Sequence, residues 1–141
     1  MKITTWNVNS VNARIEHLVK FIKIDQSDIY MIQELKCTNE MFPLSELEKL
    51  NYNCYVNGQK AWNGVAIISK NKLNITNTII PNYKDENSRL IETEIQIKNI
   101  KKKVKLINIY LPNGNPIDTE KFDYKIKWME FFNKYIKTLT D

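Results

Sequence analysis

Cysteine, arginine, histidine and long apolar runs are all scarce in this chain of 141 residues, and each scarcity excludes something. The two cysteines, Cys37 and Cys54, fit no metal-ligand or redox spacing, which points to a reducing compartment and ordinary packing roles. No apolar run approaches the ~20 residues that span a bilayer, so no membrane partner is expected. The N-terminus enters a strand pattern at once, without the basic-then-apolar order of a secretory signal. A cytoplasmic protein is the resulting expectation. Arginine, the usual residue for bidentate phosphate contacts, occurs only as Arg14 and Arg89. The formal charge of +5 suits a polyanionic partner. Lys, Asn and Ile, however, make up 57 of the 141 residues, as AT-rich codon usage would also produce. Both explanations of the basicity stay open. The single histidine, His17, falls inside a helical pattern and reads as a plain helix residue.

What is present is enough for one globular domain: 43% apolar residues can form a core, and 26% charged residues are too few for a disordered chain. Lys2–Asn7 reads as a first strand. Val11, Ile15, Leu18, Val19 and Ile22 recur at helical spacing behind a plausible N-cap, Ser10. Asp28–Gln33 reads as a second strand. Strand, helix and strand in that order imply a βαβ crossover with the two strands side by side, so that Asn7 and Glu34 sit at neighbouring strand ends. Pro43 opens a short helix. Strands are expected at Tyr52–Val56, Gly64–Ser69, Leu73–Ile80, Leu90–Lys98 and Val104–Tyr110. In Leu90–Lys98 the residues alternate, with Ile91, Thr93, Ile95 and Ile97 on one face and Glu92, Glu94, Gln96 and Lys98 on a wet one. Residues 99–103 form a basic turn. Phe122, Ile126, Met129, Phe132 and Ile136 mark a last helix.

The segment Ser27–Lys36 carries the most chemistry. Its apolar run ends abruptly in Gln33-Glu34, which puts a carboxylate just past a buried strand, at the rim where open α/β sheets bind ligands. Such a residue suits a hard cation such as Mg²⁺. The segment alone equally fits a solvated glutamate that merely ends a strand. Other strand ends are polar beyond the needs of a turn: Asn7-Val8-Asn9-Ser10, Gly58–Gly64, Asn87-Ser88-Arg89 and Asn108–Pro116. Amides, an arginine, a glutamate and a tyrosine on one rim suit a phosphate and its metal.

Several blocks together resemble the N-terminal part of bacterial exodeoxyribonuclease III, in the AP endonuclease branch of the endonuclease/exonuclease/phosphatase superfamily. They are Thr5-Trp6-Asn7-Val8-Asn9 with Ala13-Arg14, Gln33-Glu34-Leu35-Lys36, Phe42-Pro43, Tyr52-Asn53, Gly58-Gln59-Lys60 with Gly64-Val65-Ala66, Arg89, and Tyr110-Leu111-Pro112-Asn113-Gly114. Ser27 and Tyr30 depart from the family pattern. The resemblance implies a metal-dependent DNA repair nuclease that hydrolyses phosphodiesters at a 3′ end of duplex DNA or 5′ to an abasic site. Carried over by position, it makes Glu34 a ligand of Mg²⁺ or Mn²⁺, with Asn7 beside it orienting that carboxylate or a metal water. Tyr110 would hydrogen-bond the scissile phosphate. Arg89, Asn113, Trp62 and Asn63 would contact DNA.

The same resemblance exposes what is missing. The family's Gly-Asp-x-Asn and Ser-Asp-His motifs do not occur here, and no histidine follows His17. Residues 1–141 therefore read as the N-terminal part of one endonuclease/exonuclease/phosphatase domain, with the C-terminal half absent and a complementary half as a candidate partner. The expected fold is α/β, one sheet-plus-helices half of a four-layer sandwich. Its inner sheet face would lack the second sheet, so the Ile91, Thr93, Ile95 and Ile97 stripe would leave an apolar patch on the monomer and drive self-association. Two other readings compete. One is a relative with another phosphoester substrate. The other is a catalytically dead remnant that acts as an interaction or DNA-binding module.

Overall fold

The structure, a computed structural model, describes residues 1–97, 101 and 103–140. It divides into two units: Met1–Thr78 with Asn87–Tyr110, and Ile79–Glu86 with Leu111–Asp141.

Among its described residues the first unit holds seven strands: β1 (Ile3–Asn7), β2 (Ile29–Gln33), β3 (Asn53–Asn57), β4 (Val65–Ser69), β5 (Asn74–Asn77), β6 (Leu90–Ile95) and β7 (Val104–Ile109). Two helices join them, α1 (Val11–Asp25) and α2 (Leu44–Glu48). The strands form two sheets, ordered β1-β2-β4-β3 and β5-β6-β7. β1 and β2 are parallel, with Asn7 paired to Gln33, as the crossover requires. Alternation along β2 and β4 explains how both faces of the first sheet are filled. Tyr30, Ile32, Ala66 and Ile68 point into a core with Leu18 and Ile22 of α1 and Leu47 of α2. Ile29, Val65 and Ile67 point the other way, into a core with Ile91, Ile95 and Leu106 of the second sheet.

The α/β sandwich class therefore holds, but the chain builds more of it than the strand count suggested. It supplies parts of both sheets, and they cover each other. The apolar stripe expected to stay bare is buried at Ile91, Thr93 and Ile95, and Ile97 packs against the same cluster. That removes the physical basis for the expected apolar patch. The opposite face of β6 is not uniformly wet either. Glu92 is only 1% exposed. Its Oε1 accepts from Lys105 Nζ at 2.7 Å and from Thr76 Oγ1 at 2.5 Å, so neighbouring strands compensate a carboxylate that would otherwise be costly to bury. Lys98 and most of the basic turn, namely Asn99, Ile100 and Lys102, lie outside the described residues.

Thr93 carries a buried hydroxyl without a hydrogen-bond partner among the described residues, close to Ile91, Ile95 and Leu106. An unsatisfied buried hydroxyl costs about 1–3 kcal/mol, whereas an isosteric valine costs nothing of the kind. Thr93→Val is expected to stabilise the chain by about 1 kcal/mol in urea unfolding. A loss of stability would show that the hydroxyl has a bound water or another partner.

Ser27 and Tyr30, the two departures from the family pattern, complement each other. Tyr30 Oη accepts from the Ser27 backbone N–H at 2.9 Å and donates to Asp25 Oδ2 at 3.0 Å. Ser27 Oγ donates to the same carboxylate at 2.5 Å, and Tyr52 Oη donates to the Ser27 carbonyl at 2.6 Å. Hydrogen bonds from Lys2 and Ser27 hold Asp25 well below the usual carboxylate range. A tyrosine in the apolar run is thus tolerated because its hydroxyl is satisfied inside the fold.

The second unit is organised around α3 (Glu120–Thr140). Trp128, only 1% exposed, is its buried residue, while Ile126 and Met129 of the expected stripe are exposed. Trp128 stacks on Phe132 and Phe131 on Tyr83, and Tyr124 Oη donates to Asp85 at 2.7 Å. Among the described residues no helix is long and apolar enough to cross a membrane.

Candidate active site

The parallel register of β1 and β2 is what brings the first two site residues together. Asn7 ends β1 opposite Gln33, and Glu34 follows one residue later. Asn7 Nδ2 donates to Glu34 Oε1 at 2.7 Å, while Asn7 Oδ1 accepts from the Asn9 backbone at 3.1 Å. The amide is therefore held at both ends and presents its N–H to the carboxylate. Lys36 Nζ lies 3.2 Å from Glu34 Oε2 and donates to Asn9 Oδ1 at 2.5 Å. The backbone here is unusual. Asn9, Ser10, Glu34 and Lys36 all have positive φ, between 45° and 82°. Such conformations are costly for residues other than glycine and concentrate at functional sites.

β7 delivers Tyr110 to the same carboxylate. Burial acts to raise the Glu34 pKa, but hydrogen bonds from Asn7, Tyr110 and Lys36 outweigh it and hold Glu34 below its ordinary range. Burial and the Glu34 charge push the Tyr110 hydroxyl the other way, upward, so at neutral pH it is a donor. Arg89 stands one residue before β6, with its guanidinium carbon 4.9 Å from the Tyr110 ring centroid and Nη1 donating to the Tyr110 carbonyl at 3.2 Å. Asn7, Glu34, Tyr110 and Arg89 thus form one cluster.

The remaining candidates are placed differently. Trp62 is 69% exposed on the loop before β4. Asn63 is buried, and its Nδ2 lies 3.0 Å from both Gln59 Oε1 and Asn87 Oδ1. Gly64 allows that loop to approach the Glu34 turn. Its φ is +86°, and a Cβ there would meet Leu35 Cβ at 2.9 Å. Asn113 belongs to the second unit, where it is exposed and accepts from Asn115 Nδ2 at 2.9 Å. His17 lies exposed on α1.

Sequence reasoning assigned no role to Lys36, Gln33 or Asn108. Asn108 is 2% exposed and ties the two sheets together directly behind the site. Its Nδ2 donates to the carbonyls of Ile32 at 2.9 Å and Ala66 at 2.8 Å, and its Oδ1 accepts from Gln33 Nε2 at 2.7 Å. The available signal was a polar residue in the inward phase of β7, in step with Leu106.

A model of the endonuclease/exonuclease/phosphatase family matches residues 4–134. The chain belongs to that family. Within it, the chain is 31% identical over 143 residues to exodeoxyribonuclease III of Haemophilus influenzae, an alignment covering 97% of this chain and 51% of that protein. An AP endonuclease from Archaeoglobus fulgidus superposes with a TM-score of 0.88 at 34% identity, over 100% of this chain and 52% of the other. The 3′ phosphatase NExo from Neisseria, solved with a product DNA hairpin, gives 0.86 at 33% identity, over 99% and 52%. The chain thus spans about half the length of these relatives.

The donor set can be tested against a hard divalent cation. Among the described residues no three acidic, histidine or cysteine side chains gather as a metal cage. Mg²⁺ does not need one, since it is commonly held by one or two carboxylates with waters and substrate phosphate. Glu34, ionised and fixed by Asn7, fits one such ligand.

Proposed function

We propose that this chain is the N-terminal part of a single catalytic domain, in a divalent-metal-dependent DNA nuclease of the exodeoxyribonuclease III type. The reaction is hydrolysis of a DNA phosphodiester, at a 3′ end of the duplex or 5′ to an abasic site. The observation that carries this reading is an ionised, half-buried Glu34 at a strand end, hydrogen-bonded by Asn7 and adjoined by Tyr110. Glu34 would hold the Mg²⁺ or Mn²⁺ ion, and Asn7 would fix the rotamer of that carboxylate. The bound ion supplies charge neutralisation at the phosphoryl oxygens. Tyr110 would turn its hydroxyl hydrogen bond from Glu34 to the scissile phosphate. Arg89, behind the Tyr110 ring, adds positive charge on the same side, and Asn113 and Trp62 contact the DNA strand. Asn63, with its amide committed to Gln59 and Asn87, acts through the Trp62 loop. Cytoplasmic location accords with the free thiols of Cys37 and Cys54.

Two observations support completion by a further half. Relatives are about twice as long, and the motifs that would manage protons do not occur in residues 1–141. In addition, β1 and β7 are edge strands of their sheets. An edge offers unpaired backbone N–H and C=O groups to an incoming strand. A second reading, removal of a 3′-phosphate from DNA, draws on the likeness to the Neisseria 3′ phosphatase. The two differ in whether a 3′-phosphate or an internal phosphodiester is consumed.

Titration of the purified chain with Mn²⁺, followed by electron paramagnetic resonance, tests the core of the proposal. Wild type is expected to bind weakly. Glu34→Gln is expected to weaken binding at least tenfold, because the amide keeps the shape and removes the charge, a difference of about 1.4 kcal/mol or more. Equal binding by both proteins would refute Glu34 as the ligand.

A further inference from the structure

We propose that Trp62 is a stacking platform for an unpaired nucleobase, next to the phosphodiester handled at Glu34. This deepens the nuclease reading above and rests on it.

A lone exposed apolar side chain is ordinary on a protein surface and would carry nothing by itself. What distinguishes Trp62 is how the loop around it is built. Ala61, Asn63 and Gly64 have φ values of +64°, +51° and +86°, so the chain on both sides of the indole is held in the left-handed region. The loop is clamped at its base. Gln59 Oε1 accepts from the Ser88 backbone at 2.9 Å as well as from Asn63, Ser88 Oγ donates to the Gly58 carbonyl at 3.0 Å, and Gly64 N donates to the Ser88 carbonyl at 2.9 Å. The loop is also joined to the Glu34 turn. The Asn63 carbonyl accepts from Lys36 N at 3.0 Å, and the Gly64 carbonyl accepts from Leu35 N at 3.2 Å.

One set of backbone hydrogen bonds thus joins the carboxylate turn to the loop that carries the exposed indole, with exposed Lys60 two residues before it. Among the described residues Trp62 has no aromatic or cationic partner, although nine other aromatic side chains do. Ala61 is held at a positive φ beside an indole that stays exposed, which is the pattern of a binding feature. A large flat π-surface beside a phosphate site fits a base stack. Bases inside a closed duplex already have both faces covered by neighbours. Only a base at a frayed end, a gap or a single-stranded stretch offers a free face to the indole.

Binding of the purified chain at low salt to two fluorescently labelled DNAs tests this: a single-stranded oligothymidine, and a closed dumbbell duplex without ends. Wild-type tryptophan fluorescence is expected to be quenched by the single strand and not by the dumbbell. Trp128 is only 1% exposed and Trp6 packs against the core, so the quenching reports Trp62. Trp62→Ala is expected to weaken single-strand binding about tenfold, and Trp62→Phe only about threefold, with a clearly smaller loss on the dumbbell. Thermal melting of the variants confirms that they fold. Unchanged single-strand binding by Trp62→Ala, or an equal loss on the dumbbell, would overturn the platform while leaving the nuclease reading intact. If wild type binds neither DNA, the nuclease reading falls and the platform with it.

Discussion

Residues 1–141 by themselves are expected to cleave an abasic-site duplex in Mg²⁺ at least about 10³-fold more slowly than an intact exodeoxyribonuclease III. The site described above can bind, orient and neutralise charge. Among the described residues it contains no second carboxylate and no histidine to activate water or protonate a leaving group. General acid–base groups contribute ~10²–10⁴-fold, and groups that act as a unit are lost together rather than additively. The measurement is single-turnover cleavage of an end-labelled duplex at saturating protein. Cleavage within about tenfold of an intact enzyme, abolished in Glu34→Ala, would show that the residues present suffice for proton transfer, a step that otherwise contributes ~10²–10⁴-fold.

The second large effect is on stability. Asn108 is the polar bolt between the sheets, and its two N–H groups point at the carbonyls of Ile32 and Ala66. Asn108→Ala removes three buried hydrogen bonds and leaves a cavity, for an expected loss of about 3 kcal/mol. Asn108→Asp is nearly the same size but turns an acceptor toward both carbonyls and buries a charge. It is expected to cost about 4 kcal/mol or more, a large part of the ~5–15 kcal/mol that stabilises a domain. Urea unfolding at neutral pH checks the order wild type, Ala, Asp. An aspartate variant as stable as wild type would mean that the amide does not donate to those carbonyls. The same lock links stability to the site, because Gln33, which donates to Asn108, is the residue before Glu34.

The sandwich also changes what is expected of the monomer in solution. With Ile91, Thr93 and Ile95 buried, the described residues of the first unit leave no bare inner sheet face to drive aggregation. What stays open are strand edges, which call for specific pairing rather than nonspecific apolar contact.

Local pattern was enough for the first half of the site. A strand that ends in Asn7, a helix with apolar residues at helical spacing, and a second strand that ends in Gln33-Glu34 leave little choice but a parallel crossover, and the crossover makes Asn7 and Glu34 neighbours. The motif blocks extended that to the family and to Tyr110 and Arg89. Alternation in β6 likewise put Ile91, Thr93 and Ile95 on one apolar face, which was expected to stay bare and is buried. It could not say what buries them, because a period of two records which side is covered and nothing about the covering partner. That partner is the face of β2 and β4, made of Ile29, Val65 and Ile67, and nothing local links these residues to β6. The burial of Glu92 between Lys105 and Thr76, and the grip of Asn108 on Ile32 and Ala66, were decided in the same way. Each depends on strands distant in sequence meeting at one register, and only the packing of the two sheets brings them together.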